Sequence, residues 1–393
     1  MAWSATSVPV SGSAYSYTYA TMGEFVAYIV GWCLFLDNGV ASSAIAVGLG
    51  QYLNELLLDT VGARMPNAIA NPPGIDGGVF NLPAVVLILL ACLLMMKGTK
   101  ETARVNAIMV ATKIAILIMF IAIGLTAFHA SHLHPFMPMG IHGIGAAASS
   151  IFFSYLGMDV ISTTSEEAQN PKRNLPLAII WTVVIVSILY VLVALISVSA
   201  QPYTEFNDRE ASMAAILRKI TNATWPSVIL SLGAIVSIFS CLLATLFSQT
   251  RILLVMARDG LIPKLFAQIN RNTQTPLQNT GIVAALVAIA AASFPLDVLA
   301  DLTSMGTLVA FFMVSVGVMI LRQRRPELSQ GGFRVPFYPL VPLLSAASCL
   351  YLIAGLSENT FWLFGIWITI AVIIYFSFSI RNSGLSLKAR FAE

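Results

Sequence analysis

Ten long apolar stretches alternate with short polar ones along this chain, at about 24–50, 82–97, 105–128, 144–167, 175–200, 226–250, 279–295, 298–321, 337–357 and 361–380. A helix needs about 20 apolar residues to cross a bilayer. Backbone groups cannot go unpaired in lipid, so these stretches predict membrane-spanning helices rather than open strands. The 82–97 and 279–295 stretches are short and need their flanks, or a thinned bilayer, to cross. The segment 51–81 reads as a long external loop, and 207–219 as a short surface helix with Asn207 as cap and Glu210 at capping-box spacing. Residues 1–23 are too polar to span and lack the basic start and apolar core of a signal peptide.

Composition agrees with the pattern. Of 393 residues, 58% are hydrophobic and 10% charged, against about 25% charged in a soluble domain. That leaves too few charges to cover a soluble surface, and it excludes a soluble enzyme and a nucleic-acid binder. The lipid bilayer is the expected surrounding. The net charge of +3 is too small to imply a polyanion partner. The placement of the charges says more. One set of alternate loops and the C-terminal tail hold 16 of the 21 Lys and Arg residues, the opposite loops hold only Arg64, Arg209, Arg218 and Lys219, and Lys113 lies inside a span. The positive-inside rule then predicts both termini in the cytoplasm. The four cysteines sit singly in different apolar runs and form no CxxC pair.

Ionisable groups at membrane depth are costly, so each is a candidate for function. Lys113 is nine residues past Arg104, about 13 Å along a helix. Out of water, a lysine amine gives up its proton more readily, which suits proton exchange; the alternative is a lysine snorkelling to the rim. Asp37 is thirteen residues past Glu24, about 20 Å, near mid-membrane. It reads either as a proton or substrate contact or as a carboxylate bonded to a neighbouring helix. Asp159 follows Gly157 in SSIFFSYLGMDVISTT, where a helix breaks and restarts with Asp159 as its N-cap. Unwound backbone at this depth is tolerated only where it lines a cavity or is buried in protein, and in transporters such breaks build the substrate site. His129, His132, His134 and His142 share one loop, but no carboxylate accompanies them and no metal site is expected there. No phosphate loop, HExxH or GxSxG motif occurs, and no convergent set of nucleophile, base or metal ligands suggests an enzyme.

Four segments carry a family resemblance: VPVSGSAYSYTYATMGEFVAYIVGWCLFLDNGVASSA, FFSYLGMDVISTTSEEAQNPKRNLP, RILLVMARDGLIPKLFAQINRNTQTP and FRVPFYPLVP. By them the chain resembles the amino acid–polyamine–organocation superfamily, in particular its cationic amino acid transporter branch and that branch's bacterial homologues. The resemblance implies an all-α polytopic membrane protein of LeuT-like inverted-repeat fold, with about ten transmembrane helices. It also implies an N-terminal truncation: residues 1–23 would be the cytoplasmic-side remnant of a preceding helix, with VPVSGSAYSYTYATMGE matching the end of the family's second helix, while most of that helix and the first helix, which binds the substrate carboxylate, have no counterpart. Residues 24–321 would be the eight-helix transporter core and 322–393 two accessory helices with a cytoplasmic tail.

The implied activity is secondary active amino acid transport in the plasma membrane, with a bacterial inner membrane as the setting, no cofactor, and H+ as coupling ion. The implied substrate site takes the carbonyls of Phe153, Ser154 and Leu156 for the ammonium group, beside Gly157. Met158 stands at a gating position where the family often has Phe. Asp37 stands where relatives carry Glu facing the substrate side chain, and Lys113 where proton-coupled members carry a lysine in place of a sodium ion. Ser240 and Thr245 would line the neighbouring cation site. The alternative expectation is a non-transporting fragment or a binding paralogue, because half of the substrate cradle is unmatched. Oligomeric state is left open.

Overall fold

The structure is a computed structural model that describes residues 13–75, 77–97, 99–157, 161, 170–206, 212–270, 275–324 and 337–383. Helices account for the fold, and no strand occurs among the described residues. They are α1 (Ser13–Met22), α2 (Glu24–Phe35), a π-helical turn (Leu36–Val40), α3 (Ala41–Val61), α4 (Leu82–Lys97), α5 (Thr99–Gly124), α6 (Gly140–Ile151), α7 (Pro171–Ala200), α8 (Ser212–Thr221), α9 (Trp225–Arg258), α10 (Leu277–Ser293), α11 (Leu296–Arg324), α12 (Leu340–Ala354) and α13 (Glu358–Ile374). Six stretches of helix among the described residues are long and apolar enough to cross a membrane; α4, α10 and α12 are shorter apolar helices. The expected 144–167 span is described only as far as Gly157, with Ile161 beyond it.

The bundle is organised around α2–α3, α9 and α11. The continuous helix through α2 and α3 and the span containing α11 are mostly buried, whereas α5 and α7 bury little of their surface. A helix that is apolar all round and sits at the edge of a bundle presents that surface to lipid. α9 runs antiparallel to α2–α3. The Ser42 and Thr245 hydroxyls meet at 2.8 Å. A Cβ on Gly31 would stand 2.6 Å from the Met256 sulfur. Small and hydroxyl-bearing residues let helices approach this closely, which is the usual device where lipid removes the hydrophobic drive between helices.

Two sequence expectations are revised here. The first predicted span, α2–α3, does not stop near residue 50 but continues to Val61, where Gly62 closes it in the left-handed conformation (φ 73°). The predicted loop 51–81 therefore begins eleven residues late. The polar residues that look like loop find partners instead. Glu55 and Asp59 are buried and pair with Arg218 of α8 at 3.3 and 2.9 Å, and Ser227 donates to Asp59. The surface helix is present as α8, but its expected cap, Asn207, and Glu210 lie outside the described residues.

At the opposite end of α2, the Tyr15 hydroxyl donates to Asp259 at 2.6 Å, tying α1 to the end of α9. The last helix docks on the same end. The Tyr375 hydroxyl donates to Glu24 at 3.2 Å, and the Ser379 hydroxyl to the Leu261 carbonyl at 2.6 Å. Gly260, within the MARDGLIP run, has φ 81°, and a Cβ there would stand 2.2 Å from the Asn382 carbonyl oxygen. Both facts require glycine at that position.

Burial raises the Asp259 carboxyl above the usual carboxylate range, and the Tyr15 hydrogen bond pulls it partway back. Burial also raises the Tyr15 hydroxyl, helped by Asp259, and holds Tyr19 up at about 12. A carboxyl raised in the folded state favours folding while protonated, and that contribution is lost as pH rises through its titration. The Tyr15 bond offsets part of that loss. Tyr15→Phe is therefore expected to cost about 1 kcal/mol near neutral pH, a partly exposed pair being worth less than a buried one. The cost should shrink at acid pH, below the carboxyl's titration, where it holds its proton. Unfolding midpoints in detergent at the two pH values measure it, and an equal cost at both would contradict the assignment.

Candidate functional site

The π turn sets the centre of the site. At Leu36–Val40 the helix takes an extra residue, and the Ala41 N–H reaches back to the Leu36 carbonyl, five residues away. Such a turn loosens carbonyls that an α-helix would satisfy, and π turns recur at functional positions. Side chains repair the loss here. Asn38 Nδ2 lies 3.4 Å from the Leu34 carbonyl, and Ser42 Oγ donates to the Asn38 carbonyl at 2.7 Å.

Asp37 stands on this turn and is 3% exposed. Thr307 of α11 donates its hydroxyl to Asp37 Oδ1, and Asn38 Nδ2 donates to Oδ2 at 3.2 Å. Of the two readings open in the sequence, this geometry is that of a carboxylate bonded to a neighbouring helix. The approach is close because residue 306 is glycine: a Cβ there would stand 2.6 Å from Leu36 Cβ and 2.7 Å from the Cys33 carbonyl oxygen. Backbone cannot step aside as a side-chain tip can. Gly306→Ala is expected to push α11 off the π turn and cost about 1–3 kcal/mol. Gly365→Ala, on an open face of α13, should be neutral or slightly stabilising. Thermal unfolding of the two variants in detergent distinguishes them, and equal midpoints would refute the contact.

α9 lays hydroxyls and an amide along the same region. Ser240, Thr245, Ser248 and Gln249 are all buried. The Ser42–Thr245 and Gly31–Met256 contacts fix the antiparallel register and put Gln249 level with Asn38. Among the described residues, neither polar atom of the Gln249 side chain nor the Ser248 hydroxyl finds a hydrogen-bond partner. Unsatisfied buried amides cost about 1–3 kcal/mol each, so this stretch of α9 is one that water or a polar solute would satisfy. Lys113 lies on α5, half-buried, near enough to α9 for its charge to act on the Cys241 thiol. No salt bridge is formed by Lys113 among the described residues.

The helix gives way where the sequence predicts a break; the restart expected at Asp159 lies outside the described residues. α6 ends at Ile151, a 3-10 turn covers Phe152–Tyr155, Leu156 is extended and Gly157 has φ 94°. The Phe153 carbonyl accepts the Leu156 N–H at 3.3 Å. The Ser154 carbonyl accepts the Tyr190 hydroxyl of α7 at 2.7 Å. Phe152 packs edge-on against Phe311 of α11, one turn beyond Thr307. So α11 braces both the Asp37 turn and the break, while Lys113 lies against α9 near Cys241. Met158 and Asp159 lie outside the described residues, so their gating and capping roles stay expectations. Sequence reading did not single out Thr307, Gly306 or Gln249. The spacing of Thr303 and Thr307, one helical turn apart in DLTSMGTLV, is the signal that marks a polar face on α11.

Long apolar helices, a helix that gives way to a turn at Phe152–Gly157 and the buried carboxylate of Asp37 fit the class of multi-span membrane transporters. The model of the amino acid permease family matches residues 1–378, and the chain belongs to that family. It is 39% identical to a methylthioribose transporter of Bacillus subtilis over 382 residues, covering 97% of this chain and 82% of that protein. It is 37% identical to the branched-chain amino acid permease BcaP of the same organism over 385 residues, with the same two coverages. Against the vacuolar cationic amino acid transporter 4 of Arabidopsis thaliana it is 36% identical over 335 residues, 82% of this chain and 54% of that protein. These relatives are named as transporters and permeases, and the chain is an integral membrane protein of that kind, not an enzyme.

Proposed function

We propose that this protein is a secondary active amino acid permease of the cell membrane, with both termini cytoplasmic, driven by a proton gradient through Lys113. The observation that carries this reading is the break at Phe152–Gly157. Main-chain carbonyls freed at a break are the natural acceptors for a substrate ammonium group. Each carbonyl oxygen has two lone pairs, so Ser154 can bind an ammonium while Tyr190 holds its other side, and Phe153 can do so beside its bond to Leu156. Leu156 would supply the third carbonyl and Met158 the gate.

Asp37 bears on the choice of amino acid. Its carboxylate is bonded to Thr307 and Asn38 and closed off from solvent. At 3% exposure the carboxylate is out of reach of a cationic side chain unless α11 parts from the π turn, so we assign a preference for amino acids with neutral side chains. The names of two Bacillus subtilis relatives, for a branched-chain amino acid permease and a methylthioribose transporter, support a neutral solute. The span containing α6 and its neighbours would rock against α2–α3 and α9 to open the site to each side in turn.

The test is uptake into proteoliposomes of labelled leucine, lysine and methylthioribose, with and without an inward proton gradient. Gradient-dependent leucine uptake, blocked by excess valine and not by lysine, is the expected result. Uptake of lysine alone would overturn the neutral preference, methylthioribose alone the amino acid assignment, and absence of all uptake from well-folded protein the transport reading.

A further inference from the structure

The loop joining α5 to α6 carries His129 and His132 about the 3-10 turn Ala130–Leu133. The His132 N–H bonds back to the His129 carbonyl at 3.2 Å, which closes the turn and brings the two residues together. The two imidazole rings accordingly lie 5.3 Å apart, centre to centre, tilted by 32°. Two imidazoles sharing one tetrahedral zinc ion, each nitrogen about 2.0–2.1 Å from the metal, have ring centres about 5 Å apart. The spacing is already that of a chelating pair.

The other nitrogens are also arranged for it. His129 Nδ1 lies 2.9 Å from the Ala127 carbonyl, and His132 Nδ1 lies 2.9 Å from the Ser199 carbonyl at the end of α7. A carbonyl only accepts, so each Nδ1 carries the proton. In the neutral imidazole this leaves Nε2 of both rings as a lone pair. A backbone carbonyl holding the far nitrogen is the contact that fixes tautomer and ring orientation in metal-bound histidines. The main chain adds rigidity, since the His129 N–H also bonds to the Ser199 carbonyl at 3.2 Å. His129 is exposed and His132 half-buried, so an ion can arrive from solvent. The sequence alone argued against metal for want of a carboxylate, but two oriented imidazoles do not need one.

We propose that His129 and His132 bind one divalent ion of the imidazole-preferring class, such as zinc or nickel, with water in the remaining positions. No group of three His, Cys, Asp or Glu side chains gathers among the described residues, so the site is a two-ligand one and its occupancy is reversible. His134 takes no part in it, and the His142 side chain lies outside the described residues. The site is independent of the transport reading above.

The experiment is zinc titration of the full chain in detergent, with any purification tag removed, read by calorimetry and by competition with a chromophoric chelator. One zinc per chain is expected. His129→Gln and His132→Gln should each weaken binding at least tenfold, and the double variant should lose it, while His134→Gln binds as the wild type does. Metal-free melting temperatures of the variants check that they fold. Absence of binding by the wild type, or binding unchanged in the His129 and His132 variants, overturns the proposal, as does loss of binding in His134→Gln alone.

Discussion

Lys113→Ala is expected to abolish amino acid accumulation driven by an inward proton gradient, at least a tenfold loss, while the protein stays folded. The side chain sits on α5 beside Cys241, with no salt bridge among the described residues, so no ion-pair network collapses when it is removed. In the proposed coupling step the Lys113 amine, placed against α9 near Cys241, is the group that alanine removes. Lys113→Arg separates charge from proton exchange. Arginine keeps the positive charge permanently, so it should still allow exchange of labelled for unlabelled substrate across the membrane, yet lose accumulation against a gradient. Both variants are compared with the wild type in proteoliposomes, by gradient-driven uptake and by exchange at equal proton concentration. Undiminished accumulation in Lys113→Ala would remove Lys113 from the coupling step and leave the proton route to other groups.

The second large effect is on stability. Arg218→Met should lower unfolding stability by about 2–3 kcal/mol. Glu55 and Asp59 have side chains only 3% and 2% exposed, and the Arg218 guanidinium is within hydrogen-bond reach of both. Stripping the cation from two buried carboxylates costs about 3–5 kcal/mol when the site is fully buried; Arg218 itself is about a third exposed, which reduces the figure. Methionine keeps the length of the side chain, so the loss reports charge rather than packing. Arg64 makes the contrast. It pairs with the same Glu55 at 3.5 Å but is half in solvent, and Arg64→Ala should cost less than about 0.5 kcal/mol. Neutralising the acids with Glu55→Gln and Asp59→Asn in the Arg218→Met background should restore most of the loss. Equal effects of the Arg64 and Arg218 variants would show that burial of the carboxylates is not what makes the cluster matter.

Much of the molecule was legible before any coordinates. Spans announce themselves because each must be apolar over a fixed length, whatever its neighbours are. The break at Phe152–Gly157 was legible because glycine within an apolar run is a local event, and Gly157 takes the positive φ that other residues avoid. The end of the first predicted span was misplaced for the opposite reason. Glu55 and Asp59 look like loop until Arg218, more than 150 residues away in sequence, supplies a partner.

Asp37 shows the same division most sharply. Its depth follows from counting residues, and so does the expectation that it matters. Which way its carboxylate faces depends on Thr307, on the missing Cβ of Gly306 and on one extra residue in a helical turn. The histidine loop is similar: HxxH is visible in the sequence, but the carbonyls of Ala127 and Ser199 that orient the rings are not. Sequence by itself determined the membrane class, the position of most helices and the helix end before Gly157, because each rests on local composition and on the fixed rise of a helix. Only the tertiary structure decided which polar groups are paired, which remain unsatisfied and which helices touch. Hydrogen bonds and close packing in lipid are made between segments far apart in the chain, and no local pattern encodes the partner.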